Sequence, residues 1–371
     1  MPSTIKNYAG LIYGPEPHHL DHLAPLCTLL QIPLIVTEEE ISNTAHKYYP
    51  WLDVILWDYL EISQNLPESY DVIFCSIPRD IFDEIFFFSQ KILHKKVHTV
   101  WCPHGNSDKG TQTYFMEALQ KEVILLVYGQ KMIDFLMKKE AFKQMKSYVV
   151  IGNYRSLSYK RELEFYKRMV SKEILGKMKK PSKIVLYAPT WQDYEQSSSF
   201  YDACPHLIEN LPEDWNLIIK PHPNLLSQDA GKVDQIMWKY EECPNVLFLT
   251  EFPLIYPLLE VTDIYIGDMS SIGYDFLTFD RPMFFLNQNK RDSKTDEGLY
   301  LYKCGVEILP KQYPEIYKII DVHLPTDALT FSTIRKQIYD YTFGEEKNWD
   351  DLRQSIYKAC DVLPNSDLDF M

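Results

Sequence analysis

The chain has 371 residues, 46% hydrophobic and 24% charged, which is too long for one ordinary core and suits two α/β domains. Its 38 Lys and Arg stand against 52 Asp and Glu, a formal net charge of −14. That balance argues against a nucleic-acid partner, because neutralising phosphates takes a basic face.

Short apolar runs alternate with helix-length amphipathic stretches along most of the chain. In the first half the expected strands are Ala9–Tyr13, Pro33–Val36, Val54–Trp57, Asp71–Cys75, Thr99–Cys102 and Val123–Val127. Expected helices between them are His18–Leu30, Asp80–Leu93, Thr111–Gln120 and Lys131–Lys139. A short β run, Tyr148–Ile151, precedes a long polar helix over Ser156–Lys180 that Pro181 ends. The basic stretch from Lys138 to Lys183, Arg155 included, reads as a solvated helix face plus linker, or as a landing strip for an anionic surface.

The pattern restarts with strands at Lys183–Ala188, Trp215–Lys220, Val246–Thr250, Asp263–Ile266 and Met283–Leu286. Helices fit at Tyr201–Leu211, Asp229–Glu241, Pro253–Leu259 and Ile272–Phe279, then at Tyr313–Val322, Phe331–Tyr341 and Asp350–Val362. The acidic tail after Pro364 reads as frayed. The expected architecture is α/β, with two Rossmann-like domains, a cleft between them and a helical C-terminal segment. The boundaries fall at residues 1–154, a helical crossover at 155–182, a second domain at 183–340, and a terminal helix and tail at 341–371.

Seven cysteines, an odd number with no Cys-x-x-Cys, read as reduced core thiols and not as a disulfide frame. The first residues lack a positive segment followed by an apolar core, and no apolar run reaches bilayer length. The expected location is therefore the cytoplasm, at most peripheral at the inner face of the membrane.

In open α/β sheets, ligands bind beyond the carboxyl ends of the strands, so the residues there carry the search. Trp101-Cys102-Pro103-His104-Gly105 follows one strand end, and His104 is either a general base or a loop histidine held by the backbone. Lys109, five residues on, is placed to meet a phosphate. Tyr187-Ala188-Pro189-Thr190-Trp191 offers the Thr190 hydroxyl and backbone amides to an anion, although turn chemistry explains it equally well. In Lys220-Pro221-His222-Pro223 two prolines fix the backbone around His222, a donor for a phosphate oxygen. Gly267-Asp268-Met269-Ser270-Ser271 opens a helix whose free amides face an anion, with Ser270 or Ser271 as its cap. His22 lies at i+4 from His18 and i+3 from His19, which puts two histidines on one helix face, but no carboxylate-rich motif accompanies them. They read as a loop, Gly14–His19, entering its helix rather than as a metal site. No P-loop, Gly-x-Gly-x-x-Gly or Asp-x-Asp element occurs, which weakens kinase, NAD and metal-bound nucleotide-sugar readings.

Taken together, His104-Gly105 with Lys109, Tyr187–Trp191, Lys220–Pro223, Asp268–Phe276 and Asp280-Arg281-Pro282 resemble the CDP-glycerol glycerophosphotransferase family of teichoic-acid synthesis, in order and spacing over roughly residues 97–287. The chain departs from that pattern at Cys102-Pro103, Gln192 and Asn287. The resemblance implies a glycosyltransferase-B architecture with an acceptor domain first and a donor-nucleotide domain second. It implies His104 as the base on an acceptor hydroxyl, and Thr190, His222, Asp268, Ser270 and Ser271 on the donor's phosphates and nucleotide, with Lys109 and Lys220 as further phosphate or acceptor contacts. The donor would be CDP- or UDP-linked, the acceptor lipid-linked or a glycan, and the chemistry independent of metal or other cofactor. The rival expectations are a nucleotide-sugar epimerase or hydrolase on the same frame, and a nucleotide-binding protein without catalysis.

Overall fold

The computed structural model describes residues 6–106, 119–143, 145–178, 182–192 and 196–364. Lys109, most of the expected helix Thr111–Gln120 and the tail after Pro364 lie outside the described residues. The chain divides into two compact units, one holding the chain up to His104, the stretch ending at Ser158 and the chain from Tyr341, the other holding Gly105 and Asn106 with Tyr159–Asp340.

The first unit is built on seven strands: β1 (Tyr8–Ile12), β2 (Leu34–Val36), β3 (Val54–Leu56), β4 (Val72–Cys75), β5 (His98–Trp101), β6 (Ile124–Val127) and β7 (Ser147–Val150). Every pairing is parallel, in the order β3-β2-β1-β4-β5-β6-β7. β1, β2, β4 and β6 are nearly continuous apolar runs because helices cover both faces of such a sheet. Ala9, Leu11, Ile35, Ile73 and Cys75 meet Ile62, Leu66 and Phe82 in one core. The direction of winding across the sheet reverses between β1 and β4, and that switch point lies where β1, β4 and β5 deliver their carboxyl ends.

The terminal helix Trp349–Cys360 belongs to this unit. Asn348 caps it through Asp350 and Asp351 amides, and its buried stripe is Leu352, Ile356, Ala359 and Cys360. Arg353 and Tyr357 donate to the carbonyls of Leu29 and Leu30, the last two residues of helix Leu20–Leu30. Those carbonyls have no partner within their own helix, so the terminal helix satisfies them.

The second unit repeats the winding with β8 (Lys183–Ala188), β9 (Trp215–Ile219), β10 (Val246–Phe248), β11 (Ile264–Gly267), β12 (Met283–Leu286) and β13 (Val306–Ile308). The order is β10-β9-β8-β11-β12-β13, again all parallel, with the switch point between β8 and β11.

Several expected elements differ. The single helix Ser156–Lys180 is two, Tyr154–Arg161 and Leu163–Glu173, broken at Glu162. Arg155 is no part of a solvated face. Its guanidinium is buried against the Asp21 carboxylate and donates to the Asp21 carbonyl at 3.0 Å. β13 and the helices Glu39–Tyr48, Tyr59–Ser69 and Pro223–Gln228 are additional to the expected set. Among the described residues no helix is long and apolar enough to cross a membrane.

Candidate functional site

In the first unit, three strand ends converge on a histidine cluster. β1 runs into Gly14, whose φ of +85° is a backbone conformation that favours glycine. The Gly14 amide donates to Thr37 Oγ1 at 2.8 Å, which pins the turn beyond β2 as well. The chain then forms a short 3-10 turn, Pro17–His19, that leads directly into helix Leu20–Leu30. β5 delivers His104, and Gly105 beside it takes φ +133°, which side chains rarely adopt.

The His19 ring lies 4.8 Å from the His104 ring, and His18 lies 4.4 Å from His19 and 6.0 Å from His104, centroid to centroid. Burial pushes His104 down to about 4, against an opposing hydrogen bond to the Ser76 backbone beyond β4. Burial also lowers His18 to about 4 and takes His19 well below its usual range, with repulsion from His104 adding to each. At neutral pH the three rings are therefore uncharged, and His104 is in the form that accepts a proton.

His22, which shares the helix face in sequence, turns elsewhere. Its Nδ1 is 3.0 Å from the Tyr128 hydroxyl, and that hydroxyl donates to the Pro103 carbonyl at 3.2 Å. His22 Nδ1 must then carry the proton and donate to Tyr128. This relay holds Pro103, the residue just before His104. The Tyr154 hydroxyl donates to the His22 carbonyl at 2.8 Å and fixes the start of the same helix.

In the second unit the candidate residues gather at the β8/β11 switch point. Asp268, after β11, is 1% exposed. Its Oδ1 accepts the Thr190 amide at 2.8 Å, and its Oδ2 accepts the Ser199 amide at 3.0 Å and the Ser199 hydroxyl at 2.8 Å. Tyr187 then donates to Ser199 Oγ at 2.8 Å, and Ser198 Oγ donates to the Thr190 carbonyl at 2.8 Å. Asp268 thus ties the loop after β8 to the loop after β11, and both its oxygens are spent on the protein itself. A carboxylate so occupied, and negative, is a positioning residue for Thr190 and not a partner for a phosphate.

Ser270 is buried and Ser271 half-buried at the mouth of helix Ile272–Phe276. Ser271 sits at the N-cap position with helical backbone angles and makes no side-chain cap, so the expected capping role is not taken up. The Gly267 position admits no side chain, since a Cβ there would lie 2.2 Å from the Tyr265 hydroxyl.

His222 caps helix Pro223–Gln228, its Nδ1 accepting the Asn224 amide at 3.1 Å. That bond places the proton of the neutral ring on Nε2, leaving Nε2–H as a donor. Its ring lies 6.4 Å from that of Trp191. Lys220 donates to the Phe252 carbonyl at 2.5 Å.

Sequence reasoning missed two participants. Ser199 closes the Asp268 clamp, and its only sequence signal is the run Ser197-Ser198-Ser199 ahead of helix Phe200–Glu209. Arg291 donates to Met269 Sδ at 3.2 Å, within the Asp268–Ser271 segment, while Asp296 grips its guanidinium through both oxygens. Asn287, where the sequence departs from the expected pattern, accepts the Arg291 amide at 3.0 Å and donates to its carbonyl at 2.7 Å. Arg281 of the Asp-Arg-Pro motif serves the fold, donating to the Glu260 and Thr262 carbonyls at 2.7 Å each beyond helix Tyr256–Glu260.

Two parallel sheets of Rossmann winding, each with polar residues assembled beyond the carboxyl ends at its switch point, define a glycosyltransferase-B-like fold. The chain belongs to the CDP-glycerol:poly(glycerophosphate) glycerophosphotransferase family, whose profile matches residues 106–306, more than half of its length. It is similar to the teichoic acid glycerol-phosphate primase of Bacillus spizizenii, 27% identical over 143 residues that cover 38% of this chain and 34% of the primase. The match thus spans about a third of that relative. In fold it resembles the wall teichoic acid polymerase TagF, with a TM-score of 0.65 at 13% identity over 96% of this chain and 88% of TagF. TagF has also been solved after a soak with CDPG. Anabaena Alr3699/HepE, solved with UDP-glucose, superposes at a TM-score of 0.54 and 12% identity, covering 97% of this chain and all of that one, 100%.

Proposed function

We propose that this chain transfers a glycerophosphate-, polyol-phosphate- or sugar-type group from a CDP- or other nucleotide-activated donor to an acceptor hydroxyl, without a metal. The observation that carries the reading is the Asp268 clamp, which holds Thr190 beside the Ser270–Ser271 helix mouth at the switch point of the second sheet. Thr190, His222 through Nε2–H, Ser270 and Ser271 are the donor's phosphate ligands in this reading, with Lys109 and Lys220 as further contacts. Family membership and the CDPG and UDP-glucose bound by the neighbours named above support a nucleotide-linked donor.

For a CDP-alcohol the acceptor oxygen attacks the phosphorus that carries the alcohol. The new O–P bond forms as the bridging P–O bond breaks and CMP leaves. His104 takes the acceptor's proton. The hydroxyl and imidazole donors around the leaving phosphate replace the charge that a metal would otherwise supply.

Turnover of CDP-glycerol, read as CMP release, tests the reading against CDP binding by calorimetry. His104→Ala is expected to lower turnover by about 10²-fold or more with CDP affinity nearly intact. The Ser270→Ala/Ser271→Ala pair is expected to weaken CDP binding. Normal turnover by the His104 variant would remove the base assignment, and failure to bind CDP or UDP at all would leave a non-catalytic role. UDP-sugar hydrolysis or epimerisation without any acceptor would favour the second reading.

A further inference from the structure

We propose that Glu16, His18 and His19 form a binding site for a divalent transition-metal cation of the zinc class. One ligand atom from each of the three residues lies within 4.8 Å of the others. His18 Nδ1 and Glu16 Oε2 are 3.4 Å apart. Two ligands on a tetrahedral ion with bonds of about 2.0–2.1 Å stand about 3.4 Å from each other, so this pair already has the spacing of a bound ion. The third ligand atom, from His19, lies within 4.8 Å of both.

The backbone suits the task. All three residues lie on or beside the turn Pro17–His19, between Pro15 and helix Leu20–Leu30, and the two prolines stiffen it. His19 is 4% exposed and set against the core, while Glu16 and His18 are half-buried and leave a path for entry. Two imidazoles and one carboxylate select zinc, cobalt or nickel over magnesium or calcium, which take oxygen ligands. In sequence the histidines carry no carboxylate-rich motif, and His22 stands with them. The structure supplies Glu16 as the carboxylate and turns His22 to Tyr128.

Three protein ligands leave a coordination position for water. The transfer reading uses no metal, so this cation is a separate ligand of the first unit. It would tie Glu16–His19 into one rigid element and fix the two rings packed beside His104.

Titration of the untagged protein with Co²⁺ tests the site, read by visible absorption and calorimetry. The expected result is one equivalent bound with a d–d band of a low-coordinate nitrogen–oxygen site and no thiolate charge-transfer band. His18→Gln/His19→Gln is expected to weaken binding by at least about tenfold, and Glu16→Gln, at a half-buried position with no core to disturb, to weaken it as well. His46→Gln, on the distant helix Glu39–Tyr48, should change nothing. Undiminished binding in the Glu16 and histidine variants, equal loss in the His46 variant, a thiolate band, or no binding by the folded wild type would each overturn the proposal.

Discussion

The Asp268 carboxylate accepts the backbone N–H of Thr190 at 2.8 Å, joining two loops that are 78 residues apart in the chain. In Asp268→Asn one oxygen becomes an NH₂ that faces amide and hydroxyl donors. Stability is expected to fall by about 1–3 kcal/mol in a denaturant titration, and CDP affinity to fall with it as Thr190 loosens. Unchanged CDP affinity in a measurably destabilised variant would separate the clamp from the donor site.

Tyr128 joins His22 to the Pro103 carbonyl ahead of His104. Tyr128→Phe removes both bonds and little volume. We expect a loss of about 1–3 kcal/mol, together with a lower kcat and an unchanged KM for the donor. A change confined to KM would place the residue elsewhere in the mechanism.

Asp21 and Arg155 form a buried ion pair, with the Tyr49 hydroxyl donating to Asp21 at 3.1 Å. Asp21→Ala leaves the guanidinium buried without its carboxylate. The expected cost is about 3–5 kcal/mol, and Asp21→Leu/Arg155→Met should recover much of it, because the desolvation of both charges disappears together. An equal cost in the double variant would argue against this account.

The histidines give the first unit an acid-sensitive stability. His18, His98 and His104 are pushed down to about 4 by burial, and His19 and His22 lie well below their usual range. In the unfolded chain these rings titrate near about 6.5, so below that pH the unfolded state binds more protons. Their contribution is fully present above about pH 6.5 and is lost as pH falls toward about 4. Glu16 and Glu122, raised by burial, act in the opposite sense above the usual carboxylate range and soften the upper end. The denaturation midpoint should drop between pH 7 and pH 5, with proton uptake on unfolding. A midpoint that holds or rises across that window would contradict the assignment.

Much of the fold was legible because apolar strand runs alternate with helix-length stretches, and Rossmann winding follows from that alternation. β13 escaped because its three residues, Val306-Glu307-Ile308, carry a charge in the middle and follow a 3-10 segment. Helix Tyr59–Ser69 hides behind Pro67, yet Asp58 and Glu61 form its capping box, a signal that was there to read. At the site, the strand-end rule points to His104, Thr190, His222 and Ser270, each of which follows the carboxyl end of a strand. It could not distinguish Asp268 from a ligand-facing residue, because the partners that occupy its oxygens are remote in sequence. Glu16 was passed over for the same reason, since its spacing from the histidines means little until the turn is built.

The terminal helix has a consequence for the order of events during synthesis. It completes the first unit by satisfying the Leu29 and Leu30 carbonyls and by packing Tyr357 on Tyr8 at 5.1 Å. The second unit, Tyr159–Asp340, is entirely made before that helix leaves the ribosome. The half of the molecule that is translated first therefore cannot complete its packing until the last helix has been made.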